Sequence, residues 1–320
     1  FLQNRDVSRP YALFVGYYAP HSPHNPPKEF FDRLYQRTDL GKPALSGWDV
    51  PPVSSGNIMA RYHTLSEEEL RCLYAGYYGN ISFLDTQVAR ILEAAMRDRN
   101  TYVIFTSDHG ELLGDHYLMQ KNRPYQGAVH IPFMIMGPGI SDSQSIDAPI
   151  GWHDIMPTLL DLAGLPVPDS VDGRSLAPLL CDGLPSEPWR TYLHGECCHD
   201  FLFDAKTRPV SSQHNFIYEK GSHYLTDGTM KYIWYTTSGR EQLFHVKTDP
   251  GEQHDLSSNP SYASELVKWR TLLVQELFGR EEGFSDGTSL IPGCEPQRTS
   301  NSIASLIKQR QEEGFTMAYS

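Results

Sequence analysis

Three hundred and twenty residues at 39% hydrophobic and 21% charged give a prior of about two domains, with enough apolar mass for a real core. Acidic residues outnumber basic ones 39 to 27, a net charge of −12, which argues against a nucleic-acid binder. No stretch approaches about 18 uninterrupted apolar residues, so no membrane span is expected. The chain opens Phe1-Leu2-Gln3 with no basic-then-apolar leader and reads as a cut or processed end. Five cysteines, odd in number and without C-x-x-C spacing, read as reduced structural thiols and lean weakly towards a reducing, cytoplasmic compartment.

In chain order, the first element is the apolar run Tyr11–Tyr18, ended by Pro20, which predicts a strand buried on both faces. Residues 38–63 are rich in Gly, Pro and Ser and predict a long surface loop. Ser66 and Glu69 form an S-x-x-E capping box at the start of a helix of about 30 residues. Its apolar stripe runs through Leu70, Leu73, Tyr74, Tyr77, Ile81, Leu84, Val88, Ile91, Leu92 and Ala95. Thr101–Thr106 and Ile131–Met136 are further strand-like runs, and strands separated by helices predict parallel crossovers in a mixed or parallel sheet.

Beyond residue 190 the texture changes. Thr191–Gly195, Asn215–Lys220, His223–Leu225, Met230–Thr236 and Gln242–Val246 are short aromatic-rich runs separated by turn signals, predicting a small antiparallel sheet. A helix over 260–279 follows, with Leu266, Trp269, Leu273 and Leu277 on one face. The expected division is 1–185 for an α/β domain and 186–320 for an antiparallel subdomain, terminal helix and tail.

Ligands of α/β sheets sit beyond the carboxyl ends of the strands, which directs attention to His21, Asp108 and His109. Asp108 and His109 begin the dense polar stretch Asp108-His109-Gly110-Glu111, Gly114-Asp115-His116 and Lys121. A carboxylate and an imidazole at a strand end can turn towards one divalent cation, and Gly110 lets the backbone bend away. Lys121 can then meet an anionic substrate. The prolines flanking His21 in Ala19-Pro20-His21-Ser22-Pro23-His24 stiffen the loop and fix the imidazole for proton or oxyanion work. His24 carries less support. The stretch His194-Gly-Glu-Cys-Cys-His199 is a possible substrate lining.

The order of these motifs resembles the sulfatases of the alkaline phosphatase superfamily. The likeness runs from Pro20-His21-Ser22-Pro23 through Ser107–His116, Lys121, Pro124–Gly127 and Asp154–Thr158. It continues to Asp172–Leu176, Tyr224–Gly228, Lys231-Tyr232 and Thr248–Glu252. The resemblance implies an alkaline-phosphatase-like sheet flanked by helices, incomplete at its N-terminus, with a smaller C-terminal antiparallel β subdomain plus helix. It implies hydrolysis of a small-molecule or carbohydrate sulfate ester, with Asp108 and His109 as metal ligands and His21 and Lys121 as catalytic, sulfate-binding residues. The metal expected is Ca²⁺; many relatives have Asn where His109 stands, and imidazole suits a softer ion, so Mn²⁺ stays open.

The family's formylglycine nucleophile and its Asp-Asp pair precede the Pro-His-x-Pro element, and this chain has no counterpart of either before His21. The expectation is therefore the middle and C-terminal portion of a sulfatase, inactive alone. Cys294-Glu295-Pro296-Gln297-Arg298 fits C-x-P-x-R literally but lies out of order and reads as coincidence. Two rivals stand beside this reading: a phosphodiesterase or phosphonate monoester hydrolase of the same superfamily, and a non-catalytic sulfatase-like binding protein.

Overall fold

The computed structural model describes residues 1–46, 65–141, 144–181, 188–198, 219 and 221–294. It divides into two compact units, Phe1–Lys121 with Tyr125–Arg190, and Asn122–Pro124 with Thr191–Ser320.

In the first unit, α1 (Lys28–Tyr35) lies against α2 (Glu67–Ala95). The capping box at the head of α2 forms as expected: the Glu69 carboxylate accepts from Ser66 N at 2.7 Å, and Glu69 N donates to Ser66 Oγ. The buried face of α2 differs from the predicted stripe. Tyr74 and Ala95 of that stripe are buried, together with Ala75, Gly76, Gly79 and Asn80 outside it, whereas Ile81 is exposed. The reason is close approach: a Cβ on Gly76 would lie 2.6 Å from His24 O, and one on Gly79 2.6 Å from Pro26 Cγ. Small residues thus set where the chain before α1 lies on the helix, a signal that an apolar stripe does not carry.

β1 (Val103–Thr106) pairs with β2 (Phe133–Met136), the latter preceded by the single turn α3 (Gln126–Val129). The pairing is antiparallel, with Val103 opposite Met136 and Thr106 opposite Phe133, rather than the parallel arrangement expected. The expected strand at Tyr11–Tyr18 takes no regular secondary structure and joins no ladder among the described residues, and Phe14 is 87% exposed. An apolar run favours extended backbone; a strand also needs a neighbouring edge to receive its hydrogen bonds. Of the predicted loop over 38–63, residues 47–63 lie outside the described residues, and 38–46 are irregular.

α4 (Ile155–Leu162) and α5 (Ala177–Leu180) are organised by the fully buried Asp154. Its carboxylate accepts from Gly151 N at 2.8 Å, Arg174 N at 2.8 Å and both terminal nitrogens of Arg190. Burial alone would push this carboxyl up, but Arg190 and the two backbone donors outweigh it and hold it below the usual carboxylate value.

The second unit is an antiparallel sheet of β3 (Leu193–Cys198), β4 (Gly221–Thr226), β5 (Lys231–Tyr235) and β6 (Glu241–Phe244), in sequential order. α6 (Ala263–Leu277) follows a short 3₁₀ turn at Pro260–Tyr262. Trp269, Leu273 and Leu277 of α6 pack on Leu225, Tyr232, Trp234 and Leu243 of the sheet, with Leu266 at the margin, as the helical spacing predicts. Of the predicted run Asn215–Lys220, only Glu219 is described, and it is not in a strand. Cys294 packs at the edge of this core; the remainder of the C-x-P-x-R match lies outside the described residues. No helix among the described residues is long and apolar enough to cross a membrane.

Candidate active site at the end of β1

Where β1 ends, the chain turns sharply and three hydrogen bonds fix the turn. Ser107 Oγ donates to His109 O at 2.7 Å, Trp152 Nε1 donates to Ser107 O at 2.7 Å, and Gly110 N donates to Ala128 O at 2.7 Å. A Cβ on Gly110 would lie 2.1 Å from Gly127 O. Glycine is therefore required here for close contact between two backbones, and not for an unusual φ.

The turn presents Asp108 outward, its side chain 78% exposed, with the His109 ring partly covered at 28%. His109 Nδ1 lies 2.7 Å from Gly110 O, and a carbonyl can only accept, so Nδ1 carries the proton and Nε2 keeps its lone pair. That Nε2 is 3.7 Å from Asp108 Oδ2. Neighbouring ligands of an octahedral ion with bonds of 2.3–2.6 Å stand about 3.4 Å apart, so the pair fits one edge of a hard divalent cation's coordination sphere. Such an ion takes about six to eight donors. Among the described residues, no third His, Cys, Asp or Glu gathers with these two.

His21 and Lys121 meet. Lys121 Nζ lies 3.0 Å from His21 Nε2, and the His21 and His109 ring centroids are 6.2 Å apart in an edge-to-face arrangement. His21 Nδ1 lies 2.9 Å from Ser22 O, so it bears the proton, and Nε2 is the acceptor facing the lysine. The bonds preceding Pro20 and Pro23 are both cis, and Tyr18 closes the loop by donating to Ser22 O at 2.9 Å. His24 has a different part: its Nδ1 lies 3.0 Å from Pro20 O, its ring meets Tyr77 edge-on, and burial lowers its pKa. It braces the loop against α2.

The other polar residues of the 108–121 stretch build the loop. Glu111 accepts from Leu113 N at 3.1 Å and from Gln120 N, Asp115 accepts from Ala44 N at 2.7 Å, and the His116 ring is buried against Tyr125. Leu113, His116, Tyr117 and Gln120 all have positive φ, so this loop is held in a costly backbone conformation by those bonds. Sequence reading missed Ser107 and Trp152 as positioning groups. A Ser just before the Asp-His pair was a readable signal; Trp152 lies 45 residues from its carbonyl partner, and no local pattern links them.

Against known proteins, the family described as Sulfatase matches residues 1–165, and that described as N-sulphoglucosamine sulphohydrolase, C-terminal, matches residues 114–277. An arylsulfatase of Clostridium perfringens is 35% identical over 303 residues, covering 92% of this chain and 59% of that protein. Among solved structures, a phosphonate monoester hydrolase from Silicibacter pomeroyi superposes with a TM-score of 0.62 at 25% identity, over 77% of this chain and 52% of that one. A 2-O GAG sulfatase matches in fold with a TM-score of 0.61 at 23% identity, over 89% and 60% of the two chains. The fold is the mixed α/β, alkaline-phosphatase-like one, and the chain spans little more than half the length of each of these proteins.

Proposed function

The chain belongs to the sulfatase family, and from that premise we propose that the complete protein hydrolyses sulfate esters of small molecules or carbohydrates. Asp108 and His109 would supply two ligands to a divalent cation, Ca²⁺ or Mn²⁺, and the cation would offset negative charge on the sulfuryl oxygens. Lys121 adds a second positive charge, which a protein of net charge −12 needs locally to hold an anion. His21, with Nδ1 tied to Ser22 O, presents Nε2 alone to the substrate side and would pass to the departing alcohol a proton that Nε2 takes from Lys121 Nζ. The observation that carries this reading is the 3.0 Å contact between His21 Nε2 and Lys121 Nζ beside the His109 ring.

The nucleophile and the remaining metal ligands are assigned to polypeptide outside this chain, with formylglycine the nucleophile that the family implies. The uncovered apolar side chains of the first unit support that assignment, Phe14 and Tyr18 at 87% and 70% exposure and Met134 of β2 at 57%. On this reading the 320-residue chain alone is inactive, and turnover of an aryl sulfate by the purified chain would contradict it.

The likeness to the phosphonate monoester hydrolase favours a second reading, hydrolysis of a phosphonate or phosphodiester at the same site. Comparison of kcat/KM for an aryl sulfate and a phenylphosphonate ester in the complete protein decides between them. Preference for the phosphorus substrate removes the sulfatase reading, and turnover of neither leaves the non-catalytic one.

A further inference from the structure

We infer that His194, Glu196 and His223 form a metal site in the four-stranded sheet, of a kind that takes Zn²⁺ or a similar borderline transition ion. Their donor atoms all lie within 4.8 Å of one another. The sheet register produces this cluster. Glu196 stands directly opposite His223 across β3 and β4, and His194 lies two residues along β3, hence on the same face. His194 Nε2 is 3.0 Å from His223 Nδ1, and His223 Nδ1 is 3.7 Å from Glu196 Oε2. The ligands of a tetrahedral zinc with bonds of about 2.0–2.1 Å stand about 3.3 Å apart, between these two spacings.

The surroundings suit an imidazole–carboxylate site. Glu276 Oε1 lies 3.7 Å from His194 Nδ1, which puts a carboxylate, itself accepting from the Tyr192 hydroxyl, on the side of that ring away from His223. His223 is wedged between Trp234 and Phe284, which fixes its ring. When Nδ1 of His223 ligates, its proton resides on Nε2. Arg280 pairs with Glu196 at 2.9 Å and balances its charge when no ion is bound. The Glu196 side chain is 47% exposed, so solvent reaches that end of the cluster. Two imidazoles and one carboxylate select a borderline ion over Ca²⁺ or Mg²⁺, which prefer oxygen donors.

The test is Zn²⁺ titration of the tag-free complete protein, stripped with chelator, in competition with a chromophoric chelator. Wild type should take up about one equivalent tightly. His194→Gln and Glu196→Gln should each weaken that binding about 100-fold or more, and Glu276→Gln about tenfold. Asp108→Ala should retain it. His223→Asn should behave like the other ligand variants; if it does not fold, the two β3 variants still decide. Absence of tight Zn²⁺ uptake by wild type, unchanged affinity in either β3 variant, or loss of all uptake in Asp108→Ala overturns the proposal.

Discussion

Lys121 Nζ and His21 Nε2 lie 3.0 Å apart although a hundred residues separate them in sequence. The lysine comes from the far end of a loop held in left-handed conformations, the histidine from a turn closed by Tyr18. Because His21 Nδ1 is committed to Ser22 O, the pair shares its proton through one nitrogen only. The two side chains therefore act as a unit, and their loss should not be independent. In the complete protein, His21→Ala and Lys121→Ala are each expected to lower kcat/KM for an aryl sulfate by about 10²–10⁴-fold. The double variant should lose much less than the product of the two. A double-mutant cycle measures this, and simple multiplication of the losses would show that the pair does not function together.

Gly110 and Gly164 should respond differently to the same substitution. A Cβ at 110 meets Gly127 O at 2.1 Å, a backbone atom that cannot swing aside. Gly110→Ala is therefore expected to cost about 3 kcal/mol and to displace the turn carrying Asp108 and His109. Gly164 has φ of 69° and open space around its missing side chain, so Gly164→Ala carries only the left-handed backbone penalty, about 1 kcal/mol. Thermal denaturation of the two variants gives the comparison, and equal losses would mean that the Gly110 contact relaxes freely.

The nearness of His21 to Lys121 and His109 was anticipated from motif order alone, His21 following one apolar run and Asp108 and His109 another. The capping box at Ser66 and the α6 face were legible because both are local patterns. Strand pairing was not. Tyr11–Tyr18 has strand composition but no ladder among the described residues, and β1 meets β2 antiparallel across a connection that composition does not orient. The small-residue face of α2 was also hidden, since Gly76 and Gly79 matter only through segments brought against them by the fold. The His194, Glu196 and His223 cluster required the β3–β4 register, which joins residues 29 positions apart.

Asp154 ties acid sensitivity to one buried carboxylate. Its native pKa lies below the ordinary value of 3.8, because Arg190 and the backbone donors of Arg174 and Gly151 outweigh the penalty of burial. Above that ordinary value the unfolded carboxylate is also ionised, and the full stabilisation is present. As pH falls through 3.8 towards the native value, the unfolded state binds the proton first and the contribution disappears. Asp154→Asn should thus be destabilised by about 3–5 kcal/mol at neutral pH. It should also show a shallower loss of stability on acidification than wild type. Urea unfolding midpoints from neutral pH down to the acid limit measure both, and parallel pH curves would assign the acid sensitivity elsewhere.

Lys231 and Glu252 belong to two separate motifs of the C-terminal unit and meet as an ion pair at 2.9 Å, with both side chains buried. Burial pulls the lysine pKa down, and the neighbouring glutamate opposes that fall. Lys231→Met would leave the Glu252 carboxylate buried beside a thioether, at a cost of about 3–5 kcal/mol. Glu252→Gln should cost a similar amount by removing the carboxylate's charge from beside the buried ammonium. The Lys231→Met/Glu252→Gln double variant removes both charges and is expected to recover at least half of either single loss, because paired burial gains little over a neutral interior. Chemical denaturation of the three variants tests this. If the double variant falls by the sum of the single losses, the two residues stabilise the sheet through separate contacts, and the buried pair is not what joins the strand at 231 to the turn at 252.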